Sequence, residues 1–345
     1  MPAITAKLGF VGNVSFGFTT GLVTVRAMSA NIRASQDVSY PDVVDGRMDR
    51  TLYQLGPKLV GGNVSFPLVH EGVANSGRTC GSATNLGKLF WNAAAKRDDY
   101  GRLVEFFPVH VRYTDNTAFT YPNCIINSQQ ITVNQGEAVN FSCEIIGGAS
   151  SDNNVRVPKE VSDDISYLSP ARTVTWNDFV LKIWGDISSG LVINGEEVRS
   201  FNVTLNNNAE RYFTLNNKLS PQDVAARKRD ISGQVVIMGR NEGLSDLAYT
   251  NENRFTSTAG IAFGYTLGSN GNPYFATGLH GVVFQIEEIA ITNDIVETTV
   301  NYTALADCDA NYEATQIGTE SATNPLARPS GTNYGGPTAP GFPGF

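Results

Sequence analysis

Residues 198–237 read VRSFNVTLNNNAERYFTLNNKLSPQDVAARKRDISGQVVI. An alternating run at 198–205 leads into a long polar stretch, a basic residue and a Gly, and then a second alternating run. This is the pattern of two strands joined by an extended loop. Residues 25–66, VRAMSANIRASQDVSYPDVVDGRMDRTLYQLGPKLVGGNVSF, follow the same plan. Val25 to Gly62 spans 37 positions and Val198 to Gly233 spans 35, so the two stretches agree apart from a small loop difference. The chain reads as an internal duplication, and the rest is organised around that repeat.

At 345 residues the chain is long enough for two ordinary domains, and two separate cores are expected. Hydrophobic content of 41%, charge of 17% and 34 glycines mark a folded, turn-rich, β-rich protein. A formal charge of -8 argues against tight sequence-independent binding to nucleic acid, which needs a cationic surface. Cys80, Cys124, Cys143 and Cys308 form no CxxC pair. Free thiols are favoured over a disulfide framework, a Cys124–Cys143 bridge being the lesser alternative. MPAITAKLGF lacks a signal-peptide pattern, and no apolar run approaches the ~20 residues of a membrane span, so neither a leader nor an anchor is expected.

In order, strands are predicted at 10–16, 22–32 and 60–69, with a long polar loop at 34–57. A helix capped by Thr84 or Asn85 runs through LGKLFWNAAAKRDD, its apolar residues recurring at i, i+3, i+4 and i+7. One hairpin follows at 103–126, and another at 130–146 turning on Asn134-Gln135-Gly136. The second half repeats this order with an opening strand at 173–183 and strands at 198–205 and 231–238. A shrunken helix is expected at 244–249, and strands at 259–267, 274 onward, 289–292 and 299–305. Ser220-Pro221-Gln222-Asp223 has the signals of a helix start. The boundaries implied are a first β domain at 1–150, a linker at 151–172, a second β domain at 173–317 and a Gly/Pro/Ser-rich tail at 318–345.

Chemistry finds no foothold. His70, His110 and His280 are scattered, and the Asp98-Asp99 and Asp163-Asp164 neighbours read as solvated faces. Trp91, Trp176 and Trp184, with Phe179 and Phe201, fall at apolar-periodic positions and are expected in the core. Neither an enzyme nor a cofactor nor a metal is predicted.

WNDFVLKI (176–183), VRSFNVTLNNNAE (198–210), SPQD (220–223) and RDISGQV (229–235) carry a resemblance to phage tail tube proteins. The resemblance implies an all-β fold with a flanking α-helix, as two tandem tail-tube-type β-sandwich or barrel domains. Inner strands would join neighbour to neighbour into a ring, and stacked rings would form a hollow conduit for the genome. Three chains would supply six ring segments in a pseudo-sixfold trimer. Loops at 34–57 and 206–228 would reach the adjacent ring, with Asp37, Tyr40, Asp45, Arg47, Asn207, Glu210, Asp223 and Arg227 as candidate contacts. The tail would act as a staple between copies through Arg328, Tyr334, Phe342 and Phe345. Other partners implied are a tape-measure protein, tail terminator and baseplate proteins, and DNA moving without sticking through an acidic lumen; a sheath is left open. The protein would reside in the virion tail after assembly in the host cytoplasm.

The first half departs from the pattern, with MSANIRASQD where the second has FNVTLNNNAE. One alternative therefore has a single domain lining the tube while the other decorates its outside, and another is a single-ring adaptor or baseplate protein. A carbohydrate-binding or adhesin β-sandwich module is the alternative of a different class. Ordered polymers separate a tube protein from such a module.

Overall fold

Period-two alternation of apolar and polar side chains runs through most of the sequence, and most of the chain is extended. The computed structural model describes residues 13–19, 21–41, 52–70, 86–97, 103, 105–114, 117–148, 154–159, 172–184, 191–194, 197–215, 219–239, 260–266, 273–292, 295–305 and 315–317. The first half holds β1 (Asn13–Phe18), β2 (Gly21–Val25), β3 (Ser29–Ala30), β4 (Arg33–Ser39), β5 (Gln54–Pro67), β6 (Val69–His70) and the helix α1 (Leu86–Ala95). It continues with β7 (Phe107–Thr114), β8 (Thr117–Asn134), β9 (Asn140–Gly147) and β10 (Val157–Lys159). The second half opens with β11 (Arg172–Thr173), a 3-10 turn at Trp176–Asp178, β12 (Phe179–Trp184), β13 (Leu191–Asn194), β14 (Val198–Asn206), β15 (Glu210–Tyr212) and β16 (Asp223–Ala225). It closes with β17 (Asp230–Met238), β18 (Gly260–Thr266), β19 (Pro273–His280), β20 (Val282–Thr292), β21 (Ile295–Ala304) and β22 (Thr315–Ile317).

One strand order occurs twice. In the first half β2-β1-β7 pairs with the start of β8, and β4-β5-β9 with its end. In the second half β13-β12-β18-β19 takes the place of the first sheet and β14-β17-β21-β20 the place of the second. Both halves then add a late strand in the same place, β10 on β8 and β22 on β19. The strand that passes between sheets is continuous in β8. Its counterpart is divided into β19 and β20 at Gly281, where φ is 59° and a Cβ would lie 2.8 Å from the Leu305 carbonyl oxygen.

The halves are joined by strand pairing. β8 pairs antiparallel with β14, from Ser200↔Asn134 to Asn206↔Ser128. The two four-stranded sheets thereby merge into one antiparallel run, β4-β5-β9-β8-β14-β17-β21-β20, called the long sheet below. The two cores expected from chain length meet as well, since one cluster of buried side chains extends from Val14 to Ala304. α1 is the wedge between them. Phe90 packs edge-on to Phe16 of β1 at 4.8 Å and lies 4.7 Å from Phe66 of β5, tying the two sheets of the first half together. Trp91 meets Phe263 of β18 edge-on at 5.3 Å, which ties the helix to the second half. In that half Phe263 lies 5.2 Å from Phe201 of β14, the two rings tilted at 45°.

Three sequence expectations are corrected. Strands predicted separately around 118–126 and 130–134 are one 18-residue strand, β8, with a bulge between Ile126 and Ser128 absorbing the polar Asn127-Ser128 step. SPQD does not start a helix, because Gln222 N donates to Tyr212 O and the chain then pairs as β16 with β15. The run 173–183 is interrupted at Trp176–Asp178, where Thr175 N and Oγ1 both donate to Asp178 Oδ2 at 3.0 Å. That turn swings Trp176 outward, leaving it exposed, whereas Trp91 and Phe201 are buried as expected.

Candidate assembly surface and its open face

The joint between the halves is built from polar groups that satisfy a helix end. An α-helix finishes with carbonyls that have no partner within it. Here Asn207, fully buried after β14, donates from Nδ2 to Ala94 O at 2.9 Å and to Ile126 O at 3.0 Å, while its Oδ1 accepts from Arg97 at 3.1 Å. Arg229 donates to Ala95 O at 2.6 Å. Two cations at the helix C-terminus also suit its dipole.

The β15–β16 arm then lies across the end of the first half. Val224 joins Leu103, Ile125 and Ile146 in a second apolar cluster, and Ala209 and Ala226 pack against it. Arg211 donates to Val60 O, and Lys58 N donates to Leu219 O at 2.7 Å. Burial lowers the pKa of the Arg211 guanidinium, opposed by the nearby Glu144 carboxylate.

One face of the long sheet holds the core, and the other carries a different chemistry. Two cross-strand rows traverse it. The first runs Ser65–Ser142–Gln130–Thr204–Ser232–Thr303, and the second runs Asn140–Thr132–Asn202–Gln234–Asn301–Gln285. Both are hydroxyl and amide between their ends, the first closing on Val283 of β20 and the second on Pro67 of β5, and neither holds a charged side chain. Carboxylates stand in the flanking positions. Glu144 and Asp230 belong to the next row on one side, and Glu297 lies toward the other margin. Each has a partner: Glu144 accepts from Asn127 Nδ2 at 2.7 Å, Asp230 accepts from Asn208 Nδ2 at 2.8 Å, and Glu297 forms an ion pair with Arg199.

The long sheet ends in two edges. Among the described residues β20 pairs only with β21, while β3 and β4 pair only with β5. β4 is exposed on alternate and then successive residues, as an uncovered edge strand is.

The loop residues singled out from the sequence fall in different settings. Asn207 is buried in the joint, and Glu210 and Arg227 are ion-paired on the arm. Asp223 opens β16, its Oδ1 accepting from Val224 N at 2.8 Å, while Asp37 and Tyr40 are exposed at the end of β4. Asp45, Arg47 and the tail residues Arg328, Tyr334, Phe342 and Phe345 lie outside the described residues, as do Cys80, Cys308 and the helix expected at 244–249. Sequence reasoning placed Arg97 at the helix C-terminus but missed Arg211 and Arg229; for Arg229 a basic side chain near a helix C-terminus is a usable signal, but the helix it serves ends 134 residues earlier.

Reactive groups are muted. Cys124 and Cys143 are free and buried; burial pushes the Cys124 thiol up to about 12 and Cys143 further. Burial, with a hydrogen bond to the Tyr113 hydroxyl, likewise raises Tyr121. His110 Nδ1 is hydrogen-bonded to Thr120 Oγ1 at 2.7 Å on the neighbouring strand. Among the described residues no group of three His, Cys, Asp or Glu could hold a metal, and no helix is long and apolar enough to cross a membrane.

A strand order that recurs around one continuous antiparallel sheet, joined through polar contacts and flanked by one helix, defines a mostly β protein. The sequence profile of the phage tail tube protein family matches residues 4–304, and the chain belongs to that family. It is a structural component of a virion tail. No curated protein matches the chain.

Proposed function

We propose that this chain is the major tail tube subunit, that its halves are duplicated tube domains, and that copies join edge to edge with β20 of one against β3 and β4 of the next. The observation that carries this reading is the internal β8–β14 ladder. β8 ends the first half's sheet and β14 begins the second's, so the junction between copies would repeat a junction already made within each copy.

The register can be transposed. Arg33↔Gly61 and Thr204↔Ser232 enclose loops of the same 28-residue span, so position 33 answers to 204 and 61 to 232. Asn206 then answers to Ser35, and its partner Ser128, opposite Glu144, answers to Gln285, opposite Asn301. Ser35 of one copy should therefore face Gln285 of its neighbour.

The same bookkeeping tests closure. Pro67 on β5 and Gln234 on β17 share a row, yet Gln234 answers to Asn63, a shift of four residues in four strands. A ratio of one residue of shear per strand corresponds to a tilt of about 36°. That lies in the range for closed barrels. Three copies would close with 24 strands, eight from each, and a bore roughly 45 Å across between backbones at ~4.8 Å strand spacing. Both halves would line it. Exposed Tyr40, Leu52, Tyr53, Tyr212, Phe213 and Leu215 sit on the two long loops and would serve ring stacking. The lumen would take a tape-measure protein during assembly and DNA on ejection, with terminator and baseplate proteins at the ends.

The test is a Ser35→Cys/Gln285→Cys chain in a Cys80→Ser/Cys308→Ser background, oxidised after assembly. Directly facing strand residues meet disulfide geometry. Covalent products should stop at the closed trimer. Products that grow past three, or no cross-linking in assembled particles, would refute the trimeric edge pairing.

A further inference from the structure

The open face of the long sheet was expected to be acidic if it lined a conduit, because the chain carries a formal charge of -8. Its pattern is otherwise. The two central rows cross the sheet from β5 and β9 to β21 and β20 without a charged side chain, and the carboxylates stand beyond them. The burial pattern supports this assignment: Phe201, Val203 and Leu205 are buried toward the core, while Asn202 and Thr204 are half-buried and Thr303 and Gln285 exposed.

We propose that this face carries duplex DNA past the chain on a neutral, water-bearing belt held between acidic margins, instead of by repulsion from an acidic wall. The proposal rests on the tube reading and adds to it what the wall is made of. Three physical points support it. A cationic side chain on the wall would exchange counterions with the phosphates and hold the DNA, and neither row contains one. Hydroxyl and amide side chains offer donors and acceptors together, so they hold bridging water that can satisfy the wall as the DNA moves. The margin carboxylates are screened within about 8 Å at physiological ionic strength, roughly the separation of alternate rows, and each is already engaged by Asn127, Asn208 or Arg199. Their field therefore fades before the middle of the belt.

Thr204 sits at the centre, between Gln130 and Ser232, and Ser128 sits beside Glu144 at the margin. In the Cys80→Ser/Cys308→Ser background, Thr204→Cys and Ser128→Cys are made separately and assembled, with Ser232→Cys replacing Thr204→Cys if that variant fails to fold. Three thiol probes are applied: small cationic and anionic methanethiosulfonates, and a maleimide on a carrier protein wider than the bore.

At Thr204→Cys the cationic-to-anionic rate ratio, corrected for a free thiol, should stay within about threefold of one, and at Ser128→Cys it should rise above that. The carrier should label free subunits and spare assembled tubes. A cationic preference above tenfold at Thr204→Cys, with the carrier still excluded, would overturn the neutral belt while leaving the tube. Equal ratios at both positions would overturn the acidic margins. Carrier labelling of assembled tubes away from their ends would put this face outside and overturn the lumen placement itself.

Discussion

Replacing Asn207 by Ala tests the joint on which the continuous sheet depends. Its amide donates to two buried carbonyls, Ala94 O and Ile126 O, and accepts from Arg97. Alanine leaves both carbonyls without that donor in a site closed to solvent, at about 1–3 kcal/mol for a buried group left unpaired. Arg97 keeps other interactions, which limits the third loss. Allowing for relaxation, a loss of about 2–4 kcal/mol is expected. Asn207→Asp should be no milder at neutral pH, since it turns a carboxylate toward two carbonyl oxygens. Urea unfolding of dilute, unassembled chain followed by tryptophan fluorescence reads the loss as a lower midpoint at unchanged slope. Trp91 makes this signal local, because it bridges α1 and Phe263 across the same joint. A midpoint shift for Asn207→Ala equivalent to less than about 0.5 kcal/mol, the range of ordinary surface substitutions, would refute the claim that this amide locks the halves together.

Gly233→Ala would drive a Cβ into the Asn202 carbonyl and the Tyr302 hydroxyl, so a loss above about 2 kcal/mol is expected in thermal or urea unfolding, against about 1 kcal/mol for Gly136→Ala at its open φ of 83°; equal losses would contradict the packing argument. Cys124 and Cys143 keep their protons in the folded chain to about 12 and beyond, while an unfolded thiol ionises near about 8.5. Stability should be full below about pH 8.5 and then fall by about 1.4 kcal/mol per pH unit for each thiol until the folded thiols titrate; a slope between pH 8.5 and 10 that is the same in wild type and Cys143→Ala would disprove it. Deleting residues 318–345 is expected to weaken polymerisation, seen by sedimentation, with no change in the unfolding midpoint; tubes of normal length from the truncated chain would remove the staple role.

The strands of this fold were readable because alternation is local, and so was α1, whose apolar stripe needs no partner to be recognised. The likeness between the two stretches has a steric counterpart: a Cβ at Gly62 would strike Asn31 O between β3 and β4, and a Cβ at Gly233 would strike Asn202 O of β14. The match of Val25 with Val198 was fortuitous, since Val25 ends β2 while Val198 opens β14, and it accounts for the two-residue loop difference that the register removes. What sequence did not reveal is long-range. Nothing in Asn127-Ser128 announces that β8 continues across the bulge to meet β14, and nothing in SPQD announces that Tyr212 waits to pair with it. The open face was written in plain alternation from 128 to 134 and from 200 to 206, yet only pairing across strands turns scattered Ser, Thr, Asn and Gln into rows that cross the middle of the sheet.

If copies join into the proposed ring, carrying both halves in one chain would change how that ring assembles. An open sheet presents two edges, and a bare edge is a template for indiscriminate pairing. Linking the halves makes the β8–β14 junction intramolecular, so the chain's own connectivity supplies the effective concentration that separate subunits would have to find by diffusion. In the ring proposed above, one edge pair per chain would then remain for β20 and β4 to close. β4 carries Arg33 and Asp37, charges that discourage pairing with unrelated strands. The arm explains why the internal junction needs no such caution. Asn207, Arg229 and Val224 close over the helix end and the adjoining strands with β14 in this register on β8, so the register is reinforced by contacts that a slipped one would leave unmade.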